Sequence, residues 1–324
     1  MTDLYGAIDL GGTKVRALVA DLDGNVCGEE MHPTEADRGQ DSVIDRMIET
    51  LRSAAGQAQV RAEDLRAVGV ASPGALDLVR GLVFEAAQLP GWDGVPLARI
   101  IGDRLGVPAL LENDANAAAL GENRFGAGRG TRQMIFLTIS TGVGGGIIID
   151  GKVYHGATGA AGELGHVVLN VDGPRCLCNA RGCLEAYASG TGIAWRAREL
   201  VERGEAPGLA RVVEEGSELG ADEVAGTARA GDRDALRLFD EAGFYLGVAL
   251  ANFINIFNPE AIVLGGGVMA AADLFLDRAE QTMHRFARKG PLKTVRLERA
   301  TLGDRSGPLG MIAALGDMAA EESA

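Results

Sequence analysis

The chain has 324 residues, 47% of them hydrophobic, with 47 glycines, four cysteines and a formal net charge of −14. That length holds two domains of ordinary size, no apolar run reaches membrane-spanning length, and the acidic balance argues against nucleic acid as a partner. An anionic ligand must then be met by local backbone N–H groups, a lysine or metal ions, not by the overall field.

Residues 4–9 (LYGAID) and 15–20 (VRALVA) read as strands joined by LGGTK. Asp23-Gly24 is a hairpin signal before a third strand around Val26, where the lone Cys27 reads as a small buried hydrophobe. Apolar residues at helical spacing (Val43, Met47, Ile48, Leu51, Ala54, Ala55) predict a helix over 42–58. A strand over 67–72 ends in Pro73-Gly74, and a helix over 95–105, the short strand PALLEN and an Ala-rich helix from Asp114 or Ala115 follow. At 134–140 the pattern restarts: strand, TGVGGG, strand IIID, Asp150-Gly151. This repeats the opening order of strand, glycine loop, strand, acidic residue and Asp-Gly turn, and predicts two halves built on one plan. Helices dominate 190–257. A proline stop, a strand AIVL, a third glycine loop, a strand and turn over 296–304 and a closing helix over 306–320 complete the chain.

Chemistry concentrates between Gly162 and Glu185, which hold His166, Cys176, Cys178 and Cys183. One imidazole and three thiolates match a closed, four-ligand structural zinc site. The alternative is a disulfide from Cys176 or Cys178 to Cys183. The chain opens MTDLYGAIDL with no apolar signal segment, and a cytoplasmic setting keeps thiols reduced, so metal is the favoured reading. Glu163 and Glu185 bracket the cluster as acceptors fixed beside it.

Three glycine loops follow apolar strands: Gly11-Gly12-Thr13-Lys14, Thr141 to Gly146 (with Gly142 and Gly144), and Gly265-Gly266-Gly267. Glycine lets backbone N–H groups point at phosphate oxygens with no Cβ in the way. Neither a P-loop nor a Rossmann fingerprint fits, because GxxxxGK[ST] is absent and the first two loops lead into strands. Asp9, just before the first loop, is placed to hold Mg²⁺ directly or through water. Asn113-Asp114 stands at a strand end leading into a helix. Both residues are favoured helix caps, and an Asp there can also accept the proton of a hydroxyl attacking a phosphoryl group.

These residues, within DLGGTK (9–14), ASPGALD (71–77), QLPGW (88–92), LENDANAAALGE (111–122), STGVGGGII (140–148), GELGH (162–166), CLCNARGCLE (176–185) and NPEAIVLGGGV (258–268), resemble the ROK family of sugar kinases, most closely its bacterial glucokinase branch. The resemblance covers essentially the whole chain. It implies an α/β, two-lobed actin-like (RNase H-like) sugar kinase fold with an interdomain cleft. The lobes would be 1–117, completed by the C-terminal helix 304–324, and 118–303. It implies ATP with Mg²⁺ as donor, glucose as acceptor at its 6-hydroxyl, Asp114 as base, and Gly74, Asn113, Asp114, Glu163, His166 and Glu185 on the sugar. One nitrogen of His166 would face zinc and the other the sugar. A homodimer is also implied.

Two positions depart from the family pattern. Asn179 stands where glycine usually follows the second cysteine, and Asn tolerates positive φ better than most residues. Gln88 replaces the usual Asn beside the sugar site. Rival expectations are a ROK kinase for mannose, fructose, N-acetylglucosamine or N-acetylmannosamine, use of ADP or polyphosphate as donor, and a sugar-responsive regulator. The strand pattern beginning by Leu4 and the acidic charge argue against the last.

Overall fold

The computed structural model describes residues 3–86, 88–214 and 216–322. Its strands are β1 (Tyr5–Leu10), β2 (Lys14–Ala20), β3 (Val26–Pro33), β4 (Val68–Ser72), β5 (Ala75–Asp77), β6 (Leu82–Glu85), β7 (Ala109–Asn113), β8 (Met134–Ile139), β9 (Val143–Ile149), β10 (Lys152–Val153), β11 (Ala261–Gly265) and β12 (Arg296–Arg299). The helices are α1 (Gln40–Gln57), α2 (Leu97–Leu105), α3 (Asp114–Phe125), α4 (Leu184–Ala188), α5 (Gly190–Glu202), α6 (Pro207–Glu214), α7 (Ala221–Arg229), α8 (Arg233–Phe257), α9 (Leu276–Phe286), α10 (Lys289–Leu292) and α11 (Ser306–Glu322). Two five-stranded sheets run β3-β2-β1-β4-β7 and β10-β9-β8-β11-β12. In each, a third, second, first and fourth strand precede a later fifth, which is the repeated plan predicted from the sequence.

Contacts divide the chain into two compact units. The first takes the chain up to Arg132, Gly146–Gly162 and the chain from Ala300 on; the second takes Gln133–Gly145 and Glu163–Arg299. This differs from the expected division of 1–117 with 304–324 against 118–303. A cut at 117 would split α3, whose Ala117 and Gly121 both lie against α11, so α3 stays whole in the first unit. The boundary instead passes through β9.

In the first unit, Leu10 pairs with Val15 across the first glycine loop, and β2 and β3 pair antiparallel across Asp23-Gly24. β4 and β7 add in parallel. Side chains alternate between faces of a strand. On β1, Ile8 and Leu10 join the core under α1 and α2, while Tyr5 and Ala7 join the core under α11. Asp9 therefore belongs to the α11 face. The predicted helix forms as α1 and buries Val43, Met47, Ile48, Leu51, Ala54 and Ala55. Each larger aliphatic among them stabilises by roughly 1.5–3 kcal/mol. Cys27 is exposed, contrary to the sequence reading. On the edge strand β3 the inward position is Gly28, where an added Cβ would lie 2.1 Å from the Ala54 carbonyl of α1, and Cys27 alternates outward.

In the second unit, β11 lies between β8 and β12, parallel to both. The 25-residue α8 starts with Asp232 accepting from the amides of Asp234 and Ala235, and ends at Asn258 with φ 47, just before Pro259. Gly243 and Gly247 bring α9 close to α8: an added Cβ would meet the carbonyls of Phe275 and Ala279 at 2.4 and 2.3 Å. Among the described residues no helix is long and apolar enough to cross a membrane.

The α3–α11 seam is as tight. A Cβ on Gly310 would fall 1.6 Å from the Ala117 carbonyl. Gly310→Ala is expected to destabilise by about 1–3 kcal/mol through overpacking. Gly226→Ala in α7, where nothing lies within 4 Å of the added carbon, should be neutral or gain about 0.5–1 kcal/mol from helix propensity. Thermal melting of both variants checks this; equal midpoints would contradict the packing argument.

Candidate functional site

The first glycine loop closes with Gly11 N–H donating to the Lys14 carbonyl at 3.0 Å, and the Thr34 hydroxyl donates to the Gly11 carbonyl at 2.6 Å. Gly12 abuts Gln88: an added Cβ would stand 2.5 Å from the Gln88 Cβ. The Gln88 stem thus packs against the first glycine loop. Thr13 is exposed at the loop tip, and its carbonyl accepts from the Thr34 amide at 2.9 Å. Lys14, expected on phosphate, is held by Asp304 at 2.7 Å, with both side chains at least half exposed. Such a pair is worth ~1 kcal/mol or less, so a phosphate can displace it.

Asp9 sits behind this loop and faces Gly307 of α11, whose added Cβ would be 3.3 Å from the carboxylate. Burial, then the neighbouring charge of Asp114, push the Asp9 carboxyl up to about 7; Asp304 adds to this, while Arg16 and Lys14 oppose it. Clustered carboxylates of this kind suit a hard divalent cation with oxygen ligands.

The β4–β7 register places Ser72 opposite Asn113. Two residues after Ser72, Gly74 has φ 97, and a Cβ there would lie 2.0 Å from the Glu85 carbonyl, so only glycine fits. Asn113 caps α3, its Oδ1 accepting from the amides of Ala115 (3.0 Å) and Asn116 (3.2 Å). Asp114 Oδ1 accepts from Ala115 N as well, at 2.8 Å. The capping and functional readings therefore coexist, since the cap uses the Asn113 oxygen and not its N–H donors.

In the second unit the ligand atoms of His166, Cys176, Cys178 and Cys183 all lie within 4.8 Å of one another. Cys176 Sγ stands 3.7 Å from His166 Nδ1, and Cys178 Sγ stands 3.7 Å from Cys183 Sγ. For metal–sulfur bonds of about 2.3 Å, a tetrahedron has edges near this length. His166 Nδ1 faces the thiols, while Nε2 lies 3.8 Å from Glu163. Burial pushes the thiols of Cys176 and Cys183 up, so their thiolate forms need a compensating cation. Asn179 adopts φ 70, as the loop requires. Glu163 is largely exposed. Glu185 is already engaged: one oxygen accepts from Val143 N at 3.0 Å and the other lies 3.5 Å from Cys176 Sγ.

The second glycine loop is drawn shut by Ser140 N–H donating to the Gly142 carbonyl at 2.8 Å. Thr141 accepts from the Thr191 amide at 3.3 Å, and Gly144 already lies in β9. The third loop runs from Gly265, the last residue of β11, through Gly266 with φ 92; a Cβ there would lie 2.3 Å from the Ile139 carbonyl. A cavity of about 490 Å³ opens beside both loops, lined by Thr141, Gly190, Gly220, Asp222, Arg229 and Gly267 among others. The sequence reading missed Gly190, Gly220, Asp222 and Arg229. Their signal was present in Ser189-Gly190-Thr191 and Gly220-Ala221-Asp222, where a small residue opens a helix.

Thus Asp9, the first glycine loop, Gly74, Asn113 and Asp114 belong to the first unit. Glu163, His166, Glu185, Cys176, Cys178, Cys183, residues 141–145 of the second loop and the third loop belong to the second.

A family model described as the ROK family matches residues 5–317. The chain is similar to the glucokinase of Halalkalibacterium halodurans, at 35% identity over 94% of this chain and 93% of that one. It is also similar to the glucokinase of Thermotoga maritima, at 38% over 82% and 83%. Among solved structures it is similar to a ROK family glucokinase from Streptomyces griseus in complex with glucose and AMPPNP, at a TM-score of 0.78 and 33% identity, covering 96% and 98% of the two chains.

A carboxyl whose pKa is higher folded than unfolded favours folding while protonated, and opposes it increasingly as pH rises from about 4 to about 7. In metal-free protein, Asp9→Asn is expected to be more stable than the parent at pH 8, by up to about 4 kcal/mol less solvent screening at its open edge. The difference should vanish by pH 4. Chemical denaturation in chelator across that range checks it, and equal stability at pH 8 would contradict it.

Proposed function

The chain belongs to the ROK family, and from that membership and the residues described above we propose that it is a glucokinase, transferring the γ-phosphoryl of ATP to the 6-hydroxyl of glucose. Its fold is the two-lobed, actin-like α/β fold of that family. The observation that carries the reading is the meeting of Asp9 and Asp114 beside the first glycine loop, close enough that the charge of Asp114 raises the Asp9 carboxyl. One carboxylate suits a phosphate-bound cation and the other a proton.

In this reading the sugar O6 attacks the γ-phosphorus, the bond from phosphorus to the β-phosphate oxygen breaks, and Asp114 takes the hydroxyl proton. There is little covalent chemistry beyond this, so positioning and charge do most of the catalysis. Asn113, with its oxygen committed to the helix cap, donates to a sugar hydroxyl through its N–H groups. Gly74 would offer its backbone to the sugar, glycine being required there by the Glu85 carbonyl behind it. Asp9 would hold the Mg²⁺ that arrives with ATP, which would supply positive charge against the phosphates. Backbone N–H groups of the glycine loops face the phosphate oxygens, and the cavity beside Gly190 and Gly220 takes the base and ribose. Gly11, Gly12, Thr13, Lys14, Thr141, Gly142, Gly144, Gly265 and Gly266 are the proposed nucleotide contacts.

His166, Cys176, Cys178 and Cys183 would hold a structural zinc, which would fix the loop from which His166 Nε2 and Glu163 reach sugar hydroxyls. With Nδ1 on a metal, the tautomer of His166 is set. Glu185 keeps some acceptor capacity, since a carboxylate offers about four lone-pair sites. Acceptors that closure around the sugar would desolvate, left unpaired by a sugar lacking the hydroxyl, supply discrimination.

Asp114→Ala is expected to cut turnover by at least ~100-fold while glucose binding by calorimetry is largely kept; near-normal turnover would overturn the assignment. Elemental analysis of unchelated protein should find one zinc per chain, and Cys183→Ser should lower both the melting midpoint and glucose affinity. A panel of hexoses and N-acetylhexosamines crossed with ATP, ADP and polyphosphate should show glucose with ATP as the best pair, and a different best pair would reassign the substrate.

A further inference from the structure

Glu112 immediately precedes the Asn113-Asp114 pair and is only 7% exposed. A buried carboxylate must be hydrogen-bonded to be tolerated. Glu112 has three such donors: the Asn113 amide at 2.9 Å and Asn116 Nδ2 at 3.1 Å, both on Oε1, and His155 Nε2 at 2.7 Å on Oε2. The first two lie on the same strand–helix junction as Glu112 and move with it. His155 comes from elsewhere, the loop after β10.

That loop presents His155 firmly. The Tyr154 amide donates to the Ile147 carbonyl at 2.8 Å, and the Ala161 amide returns to the His155 carbonyl at 3.1 Å. Gly156, Gly159 and Gly162 have φ of 68, 85 and 96, which lets the segment turn tightly around the histidine. Gly159 faces Leu78, to which an added Cβ would be 3.6 Å. The Glu112 hydrogen bond holds the imidazole above its usual range, as expected of a charge-assisted pair.

We propose that His155 is a positioning residue for phosphoryl transfer: through Glu112 it fixes the Asn113 backbone, and so the placement of the Asn113 amide and the Asp114 carboxylate. One end of Glu112 is pinned by His155 and the other by the Asn113 N–H, so the carboxylate works as a strut between a glycine-rich loop and the catalytic junction. With the imidazole gone, Oε2 loses its partner, the carboxylate turns toward water, and the Asn113 amide is released. A misplacement of about 1 Å at such a pair can cost about 100-fold in rate. Partial loosening should cost less.

This inference rests on the sugar kinase reading, and its test separates the two. His155→Ala and His155→Gln are made, the latter keeping an N–H donor. His155→Ala is expected to lower kcat about tenfold and raise the glucose KM several-fold, with the ATP KM unchanged. His155→Gln should stay within about threefold of the parent. Amide hydrogen exchange of the 109–116 segment should quicken at least about fivefold in His155→Ala but not in His155→Gln, with α1 unchanged. Should His155→Ala not fold, Glu112→Gln, with the charge removed and the shape kept, should show the same exchange change in that segment. A parent protein without sugar phosphorylation would refute the functional reading, while the exchange result still decides the strut. Unchanged exchange at 109–116 together with unaltered kinetics overturns the inference, as does His155→Gln being as impaired as His155→Ala.

Discussion

Glu122 has no solvent exposure, and its carboxylate collects the amides of Ala127 (2.9 Å), Thr301 (3.1 Å) and Leu302 (2.8 Å) and the hydroxyl of Ser306 (3.0 Å). Four donors from two distant stretches of chain converge on one side chain of α3. An unpaired carboxylate at that depth would cost several kcal/mol, so the pairing fixes where the segment after β12 enters α11. Gly303–Arg305 lies inside that segment, and with it Asp304, the partner of Lys14. The other end of α3 carries Asn113 and Asp114. One buried charge thus ties the helix that begins at Asp114 to the loop whose Asp304 restrains Lys14 and to the helix that lies over Asp9.

The second unit uses a carboxylate differently. Glu185 is only partly buried, and it joins two loops where Glu122 joins two helices: one oxygen holds the Val143 amide, the other approaches Cys176 Sγ. A Cβ on Gly142 would come within 2.6 Å of that first oxygen, so glycine is needed there for Glu185 to reach the backbone at all. The glycine loop and the cysteine loop are therefore set with respect to each other before any ligand arrives. Such pre-organisation is what phosphoryl transfer in general demands, since catalysis there comes mainly from placement and charge.

What the sequence disclosed and what it withheld follow from the range of the interactions. The hairpins at Gly11-Gly12 and Asp23-Gly24, the helical spacing of α1, the clustering of His166 with the cysteines, and the tolerance of Asn179 for φ 70 are all settled within a few residues, and each was legible. Cys27 was misread because its exposure depends on β3 being an edge strand, which is a property of sheet order. The boundary at 117 was misplaced because α3 is held by α11, almost 200 positions away. Glu122 and Glu112 looked like ordinary members of an Ala-rich motif, and nothing local marks a carboxylate whose donors come from Thr301 or His155. The cavity residues Gly190 and Gly220 were passed over because two helix starts must come together before the cavity they line exists.

The repeated sheet order gives each half a glycine hairpin at an equivalent place, between its first and second strands. Identical hairpins would make identical cradles, so the difference lies in the carboxylate that restrains each. In the first loop the restraint is Asp304 on the Lys14 ammonium, a pair exposed to water on both sides, which a phosphate can exchange at little cost. In the second loop the restraint is Glu185 on a backbone amide, and a backbone amide has no rotamer by which to leave. The first loop therefore carries a mobile positive charge, and the second carries fixed N–H dipoles. A duplicated plan has thus yielded one adjustable and one rigid glycine hairpin, and the distinction comes from side chains outside the glycine motifs themselves.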